Sequence, residues 1–187
     1  MIKMKKRICL AVAIALCLSS ISFADSIVID AARDTTIYED NTGNSNGAGD
    51  FLFAGQNGGS SPRRGLIAFD LSMIPQNATI DSVSLSLFVS QANSTMADVS
   101  LHRLEADWGE GTSDAPGGEG GGTAAAAGDA TWDDSVFGMT AWASQGGDFA
   151  PNASATTTVG GAGSAYTWSA PELIPAPACP ASCHPQK

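Results

Sequence analysis

Alternating apolar and polar residues, the period of a β-strand, dominate this chain. In the clearest run, Val83, Leu85, Leu87 and Val89 alternate with three serines and Phe88. Such alternation predicts a strand with one face on a core and the other largely in water. Related patterns predict about six strands between Ser26 and Leu104: Ile27–Ile29, Thr35–Tyr38, Phe51–Phe53, Gly65–Leu71, Ser82–Val89 and Val99–Leu101.

Polar, glycine- and proline-containing segments separate these runs and predict turns. No window of comparable length shows a convincing helical period. Only 15% of the residues are charged and 21 are glycine, a composition that does not favour helices. We therefore predict an all-β fold, an antiparallel β-sandwich or jelly roll. The expected turns are Asn41–Gly49, Gln56–Pro62, Pro75–Ala78 and Gln91–Ala97.

The character of the sequence changes after Leu104. Residues 109–128 are rich in glycine and alanine and predict a long loop, which in a compact domain is either functional or disordered. Further strands are expected at Thr131–Trp132 and Thr156–Val159. The module is expected to span residues 25–174, followed by a disordered tail, rich in proline, alanine and cysteine, at 175–187.

The N-terminus has the features of a secretory signal peptide. A basic start precedes an apolar run from Ile8 to Leu18, and Ser22-Phe23-Ala24 predicts cleavage after Ala24. The mature protein would then be secreted, at the cell surface or extracellular, and no longer attached to a membrane. The alternatives are a membrane anchor, for which the run is short, and a lipoprotein acylated at Cys17, where Leu16 stands in place of a small residue.

The charge balance bears on the partners of the chain. It has 9 basic and 19 acidic residues, and removal of residues 1–24 takes four bases and no acid, leaving a net charge of −14. Nucleic-acid binding is therefore disfavoured, because phosphate neutralisation needs clustered Lys or Arg. Only Cys179 and Cys183 remain after cleavage, so no disulfide framework can stabilise the fold and its core must do so.

A longer motif points to a family. The run from Arg63 to Leu85 has an Arg, an apolar strand ending Phe-Asp-Leu-Ser, a Pro turn that should let two antiparallel strands pair, and an alternating strand. It resembles the signature of DNRLRE-type domains, which are disaggregatase-related, secreted carbohydrate-binding modules. Further matches, over roughly Asp30 to Trp168, are Ala32–Tyr38, Leu101–Arg103, Asp107–Thr112, Thr131–Trp132, Trp142 and Gly146–Asp148.

The resemblance implies a non-catalytic module that binds a polysaccharide or cell-surface glycan, without a cofactor. Family members are linked to polysaccharides that include uronic-acid polymers such as alginate. Such domains usually continue with further strands, whereas here Pro171–Ile174 leads into a segment with four prolines between Pro175 and Pro185. The sandwich is therefore expected to lack its last strands.

Four residues are the candidate ligand contacts: Trp142, Trp108, Arg64 and Arg103. Sugar C–H faces pack well on large aromatic rings. The alternative for Trp108, Trp142 and also Trp132 is core packing, and the alternative for Arg64 is an ion pair, with Asp70 as the expected carboxylate. An anionic glycan would suit so acidic a chain only if its arginines cluster. Those arginines are Arg33, Arg63, Arg64 and Arg103.

Four carboxylates are candidates for catalysis. Asp107, Glu110, Asp133 and Asp134 could supply a glycosidase pair, but carboxylates on such loops are usually only solvated. A polysaccharide-degrading enzyme and a purely structural extracellular protein remain the alternatives.

Two further segments resemble ligand-binding motifs. The loop at 40–47 is rich in oxygen ligands for a structural calcium ion, without the EF-hand pattern, and Asx turns are its simpler interpretation. Cys179 to His184 has one residue too many for haem attachment.

Overall fold

The fold is built from short antiparallel strands. The computed structural model describes residues 26–93 and 96–169, and within these ranges there are eleven strands and no helix. Accordingly, the described residues contain no helix able to cross a membrane. The strands are β1 (Ala31–Tyr38), β2 (Asn44–Ser45), β3 (Gly55–Gln56), β4 (Pro62–Phe69), β5 (Ser84–Val89), β6 (Ala97–Leu101), β7 (Thr123–Ala124), β8 (Asp134–Val136), β9 (Thr140–Ala141), β10 (Ala155–Val159) and β11 (Ser164–Ser169).

The two longest strands, β1 and β4, form the main sheet. They pair antiparallel over most of their length, with one irregularity between Ala31 and Arg33 and with Ile37 opposite Arg64, and β3 joins the other edge of β4. All four residues from Thr35 to Tyr38 are at most 1% exposed, so the last half of β1 is covered on both faces. Strand β4 ends where the Asp70 carboxylate accepts the backbone N–H of Ser72, a local bond that competes with the ladder.

A second unit consists of the antiparallel pairs β5–β11 and β6–β10. Trp168 on β11 is 2% exposed, and its indole N–H donates to the Val99 carbonyl on β6 at 2.7 Å. Thr157 on β10 donates its hydroxyl to the Thr167 carbonyl on β11 at 2.8 Å. These bonds tie the two pairs together, because a buried Trp N–H needs an acceptor and finds it on the other pair.

Burial along β5 follows the predicted alternation. Leu85, Leu87 and Val89 are half-buried, whereas Ser84, Ser86 and Phe88, which alternate with them, are exposed. The all-β prediction is confirmed, and the paired antiparallel strands agree with a β-sandwich.

The core lies between the main sheet and the segment that follows residue 104. Ile37 and Leu66 from the sheet pack with three tryptophans from that segment. The cluster is completed by Ala130 and by the partly buried Ala68, Leu104 and Ala106; its tryptophans are Trp108, Trp132 and Trp142. Burial of large aromatic rings supplies most of the apolar area that stabilises a core of this size.

The long segment at 109–128 is held by buried polar groups. The Glu119 carboxylate accepts the side-chain amide of Asn46 and the backbone N–H groups of Asp50 and Phe51, at 2.9 to 3.2 Å. The Asp129 carboxylate accepts three backbone N–H groups of the same segment, from Thr112, Ser113 and Ala126. The segment is therefore an ordered loop, interrupted by β7, which pairs with β2 inside the expected turn at 41–49.

Several local predictions are wrong. Ile27–Ile29, Phe51–Phe53 and Thr131–Trp132 are not strands. At the last of these, the Thr131 hydroxyl and backbone N–H bind the Asp134 backbone and form a turn instead. The strand at Thr156–Val159 is confirmed as β10.

The Pro75–Ala78 turn is present, with Ala78 N–H donating to the Pro75 carbonyl at 2.9 Å. It does not join paired strands, however, because β5 pairs with β11 and not with β4. The signal peptide at 1–24 and the tail at 175–187 lie outside the described residues. The absence of closing strands concerns the same undescribed end and stays a prediction.

Glu119→Gln tests the loop network. An amide keeps the shape of the carboxylate but turns one acceptor into a donor facing backbone N–H groups, so we expect a loss of about 1–3 kcal/mol in the free energy of unfolding at pH 7. The Asn46 amide and the backbone N–H groups of Phe51 and Asp50 hold the pKa of Glu119 below its ordinary value of 4.5. Urea denaturation measures the difference between variant and wild type.

The lowered pKa of Glu119 determines how its contribution to stability depends on pH. The stabilisation by Glu119 is fully present at a pH above its ordinary pKa. It is lost as the pH falls through the lowered pKa that the carboxyl has in the folded protein. The gap between wild type and variant should therefore shrink at pH 3. Asp114→Asn, an exposed carboxylate in the same segment, is the control and should leave stability within about 0.5 kcal/mol. Equal effects of both variants at pH 7 would show that the network does not hold the loop.

Candidate functional site

An open groove lies between the segment after Leu104 and the turns that surround β9. It consists of two adjoining depressions, of about 580 and 530 Å³, which share Ala106, Ala143 and Asp148 as lining residues. One is flanked by Trp142 and the other by Arg64. An isolated bridge between Leu104 and Phe149 brings the two walls together.

Arg64 supports one wall of this groove from β4. Its guanidinium lies 4.7 Å from the ring centroid of Trp132 and 4.8 Å from that of Phe149, and it donates to the Gly146 carbonyl at 2.5 Å. Burial lowers the pKa of Arg64, opposed by the negative charge of Glu39. The expected pairing with Asp70 is wrong, because β4 directs Arg64 to the turn at Gly146 while Asp70 binds Ser72.

Gly146 is fixed by the same contact. Its φ is +85°, a left-handed conformation that favours glycine. A Cβ at this position would collide with Nη1 of Arg64 and with the Trp132 ring. The turn can therefore approach the guanidinium only because residue 146 has no side chain.

Asp148 organises the shared wall of the two depressions. Its carboxylate oxygens accept the backbone N–H groups of Ala143 and Ser144 at 2.9 and 2.8 Å. Its own carbonyl accepts the N–H of Glu105 at 2.9 Å. The neighbouring Gln145 donates its amide to Asp133 at 2.7 Å. The groove wall is thus fixed by local bonds of the turn that forms it.

The three tryptophans near the groove are buried in the core. Trp108, Trp132 and Trp142 are 4–6% exposed, and the Trp142 indole N–H donates to the Thr131 carbonyl at 2.9 Å. Burial on this scale leaves no open ring face at Trp108 or Trp142 for a sugar to stack upon. That these two contact a ligand stays a prediction, restricted for Trp142 to the small part that lines the groove.

The arginines do not converge on one point. Arg33 lies over Trp108 and pairs with Asp107 at 2.9 Å, and Arg63 lies over Tyr38 and pairs with Asp40 at 3.1 Å. Arg103 is exposed and meets Glu105 at 3.7 Å, at the rim of the groove. Of the two candidate arginines, Arg64 therefore lines the groove, and Arg103 lies beside a residue that does.

The carboxylates considered as a glycosidase pair all serve structural bonds. The hydrogen bond from Arg33 holds the pKa of Asp107 below its ordinary value, the opposite of what a general acid requires. Glu110 accepts the N–H of Asp34 at 2.9 Å. Asp133 is engaged by Gln145, and Asp134 by the N–H of Gly138.

The loop at 40–47 begins with a carboxylate that has a positive side chain beside it. The Asp40 carboxylate is already occupied by the Asn57 amide and by the Arg63 guanidinium, whose positive charge would repel a cation. Within the described residues, no group of three or more His, Cys, Asp or Glu side chains could hold a metal ion.

The sequence analysis did not identify Phe149 and Gln145, which line the groove, as candidate site residues. Phe149 stacks on Arg64 with one side and meets His102 edge-on, at a centroid distance of 5.2 Å. An aromatic residue directly after the Gly146-Gly147-Asp148 turn was the available signal. Its pairing with Arg64 could not be read because the two residues are 85 positions apart.

Comparison with known proteins gives a match to one family model over part of the chain. Residues 26–114 match the model of carbohydrate-binding module family 96. The match supports a carbohydrate-binding module. It includes Arg64 and the 104–108 wall of the groove, but ends before the turns around β9. No curated protein and no solved structure matches the chain.

Substitution of the buried tryptophans tests their role in the core. Trp132→Ala should lower the free energy of unfolding by about 3–5 kcal/mol, because it removes a core ring and one of the two rings on Arg64. Trp142→Phe should cost about 1–3 kcal/mol, since it leaves the Thr131 carbonyl without its donor.

Phe88→Ala is the control. Phe88 is an aromatic residue that is 67% exposed on β5, and its removal should cost no more than about 0.5 kcal/mol. Denaturant unfolding followed by circular dichroism measures all three variants. A loss at Phe88 as large as at Trp132 would contradict the assignment of the core.

Proposed function

We propose that this chain is a secreted, non-catalytic module that binds a polysaccharide or cell-surface glycan through the groove. The observation that carries the proposal is the match of residues 26–114 to a carbohydrate-binding family, over a segment that supplies Arg64 and one wall of the groove. The resemblance of the Arg63–Leu85 run to DNRLRE-type domains supports the same class. The basic and apolar N-terminus supports secretion.

The composition of the groove suits a sugar. Alanines 106, 141 and 143 and the Phe149 ring offer apolar surface against which sugar C–H groups can pack. Exposed polar side chains lie among them: Ser144, Gln145 and Thr140. An open depression with apolar and hydrogen-bonding groups side by side is what an amphipathic sugar ring requires.

The carboxylates support binding without catalysis. A hydrolysing pair needs one acid with a raised pKa and one free carboxylate across the groove. Asp107 has a lowered pKa, and Asp148 has both oxygens committed to backbone N–H groups. Asp107 is therefore not prepared to act as the general acid, and the Asp148 carboxylate serves the turn that forms the groove wall.

Ala143→Gln tests the site. Ala143 is exposed and lines both depressions, and only its backbone N–H serves the fold, so a longer side chain fills the groove without removing a structural bond. We expect glycan binding to weaken at least tenfold, about 1.4 kcal/mol. The protein is first screened on a glycan array and the best ligand is then titrated by calorimetry.

Ala127→Gln is the matched control, an exposed alanine of the 109–128 loop, and should bind like wild type. Equal binding by all three proteins would show that the groove is not the site. Binding to no glycan at all would contradict the proposed function. Steady release of reducing sugar from the ligand would favour the alternative of a polysaccharide-degrading enzyme.

A further inference from the structure

The groove consists of two depressions in series, which meet where its lining residues are small. Their volumes, about 580 and 530 Å³, each lie within the range of small-molecule sites, roughly 300–1,000 Å³. At the junction they share Ala106, Ala143 and Asp148. The two alanine side chains are single methyl groups, and the Asp148 carboxylate is bound to the N–H groups of Ala143 and Ser144. One ligand can therefore pass from the first depression into the second.

The two depressions offer different contacts to a ligand. Val136 and Ala141 line the first depression and not the second, and they give it aliphatic surface. Gln145 and Phe149 line the second and not the first, and they give it an amide and an aromatic ring. The amide is oriented by its hydrogen bond to Asp133 at 2.7 Å. Neither depression duplicates the other, so each can add contacts of its own to one bound chain.

One wall of the groove is open to solvent along both depressions. Thr140, Ala141, Ala143, Ser144 and Gln145 line this wall, and all five are exposed. A pocket that encloses the terminal residue of a glycan would bury the side chains that line it, because it surrounds the sugar ring on several sides. The exposed wall instead suits a chain that lies along the groove and continues beyond it.

We propose that the groove binds the interior of a glycan chain, with consecutive sugar residues in its two depressions. This inference rests on the proposed function and specifies which part of the polysaccharide is recognised. The loss of translational and rotational freedom is incurred once for the whole ligand. The second sugar residue then binds intramolecularly, at a high effective concentration, and its contacts add to the affinity. A monosaccharide fills one depression and gains none of this.

A series of ligands of increasing length tests the inference on the wild-type protein. The probes run from monosaccharide to hexasaccharide and are prepared from the best ligand on the glycan array and, in parallel, from cellulose, mannan and polymannuronic acid. In a series that binds, calorimetry should show the disaccharide binding at least about tenfold more tightly than the monosaccharide. With the intact polysaccharide, the stoichiometry should exceed one protein molecule per chain end, because interior segments far outnumber ends.

Two matched variants block the depressions one at a time. Ala141→Gln fills the first and Ser144→Gln the second, and each replaces an exposed residue that lines that depression alone. In both variants, binding of the hexasaccharide should weaken at least about tenfold, and the advantage of the disaccharide over the monosaccharide should disappear. Ala127→Gln, which lines neither depression, is the control and should bind the whole series like wild type. The length series itself does not depend on the folding of any variant.

The outcomes separate the inference from the proposed function. Equal binding of the monosaccharide and the longer probes, or a stoichiometry of one protein molecule per chain end, would overturn the inference and leave carbohydrate binding intact. Loss of hexasaccharide binding in only one of the two blocking variants would also overturn it, because the ligand would then occupy a single depression. Binding to no glycan on the array or in the series would contradict the proposed function and with it the inference.

Discussion

The stacking of Arg64 between Trp132 and Phe149 is the interaction on which the groove depends. One ring belongs to the core and the other to the groove wall, and the guanidinium joins them at 4.7 and 4.8 Å. Its position is set by the register of β4 with β1, where Arg64 faces Ile37, a fully buried residue. The main sheet, the core and the groove are thus connected through one side chain, held by stacking and a hydrogen bond in place of an ion pair.

Many acidic residues in the described part of the chain accept hydrogen bonds from its backbone. In the ranges that the structure describes, six carboxylates accept backbone N–H groups, and between them they hold the long loop, the end of β4 and the groove wall. In a chain with two-residue strands, many N–H groups lie outside ladders, and acceptor side chains satisfy them. The six are Asp70, Glu110, Glu119, Asp129, Asp134 and Asp148.

This use of acids also bears on function. The acids beside the groove serve structural bonds, so their abundance is no argument for hydrolysis. These bonds are compatible with the proposed role of the groove in binding.

The sequence predicts the long alternating strands well and the short ones poorly. The run at Val83–Val89 alternates with the period of a half-buried strand, and β5 has that burial pattern. The two-residue strands β2 and β7 carry no periodicity at all, and their pairing depends on contacts between residues about 80 positions apart. At Thr131, in contrast, the sequence predicts a strand that does not form. A local hydrogen bond to the Thr131 hydroxyl outweighs the β-propensity of this residue.

For the candidate site, the sequence motif predicts that Arg64 lies on a strand, and it includes residues in the segment at 142–148. It does not predict that Arg64 contacts this segment. The choice of Asp70 as the partner of Arg64 followed proximity along the chain, whereas the strand directs the side chain to Gly146. Large aromatic residues were ambiguous for a physical reason, since a tryptophan serves a core and a sugar equally well. Only the packing of the folded chain distinguishes the two.

Nuclear magnetic resonance titration with a bound oligosaccharide tests the central claim, that the groove is a carbohydrate site, most directly. The account predicts that the amide shifts which change on binding cluster at residues 104–108 and 140–149, with the largest changes near Ser144 and Gln145. Changes clustered instead on the β5–β11 pair, or spread weakly over the whole chain, would contradict it.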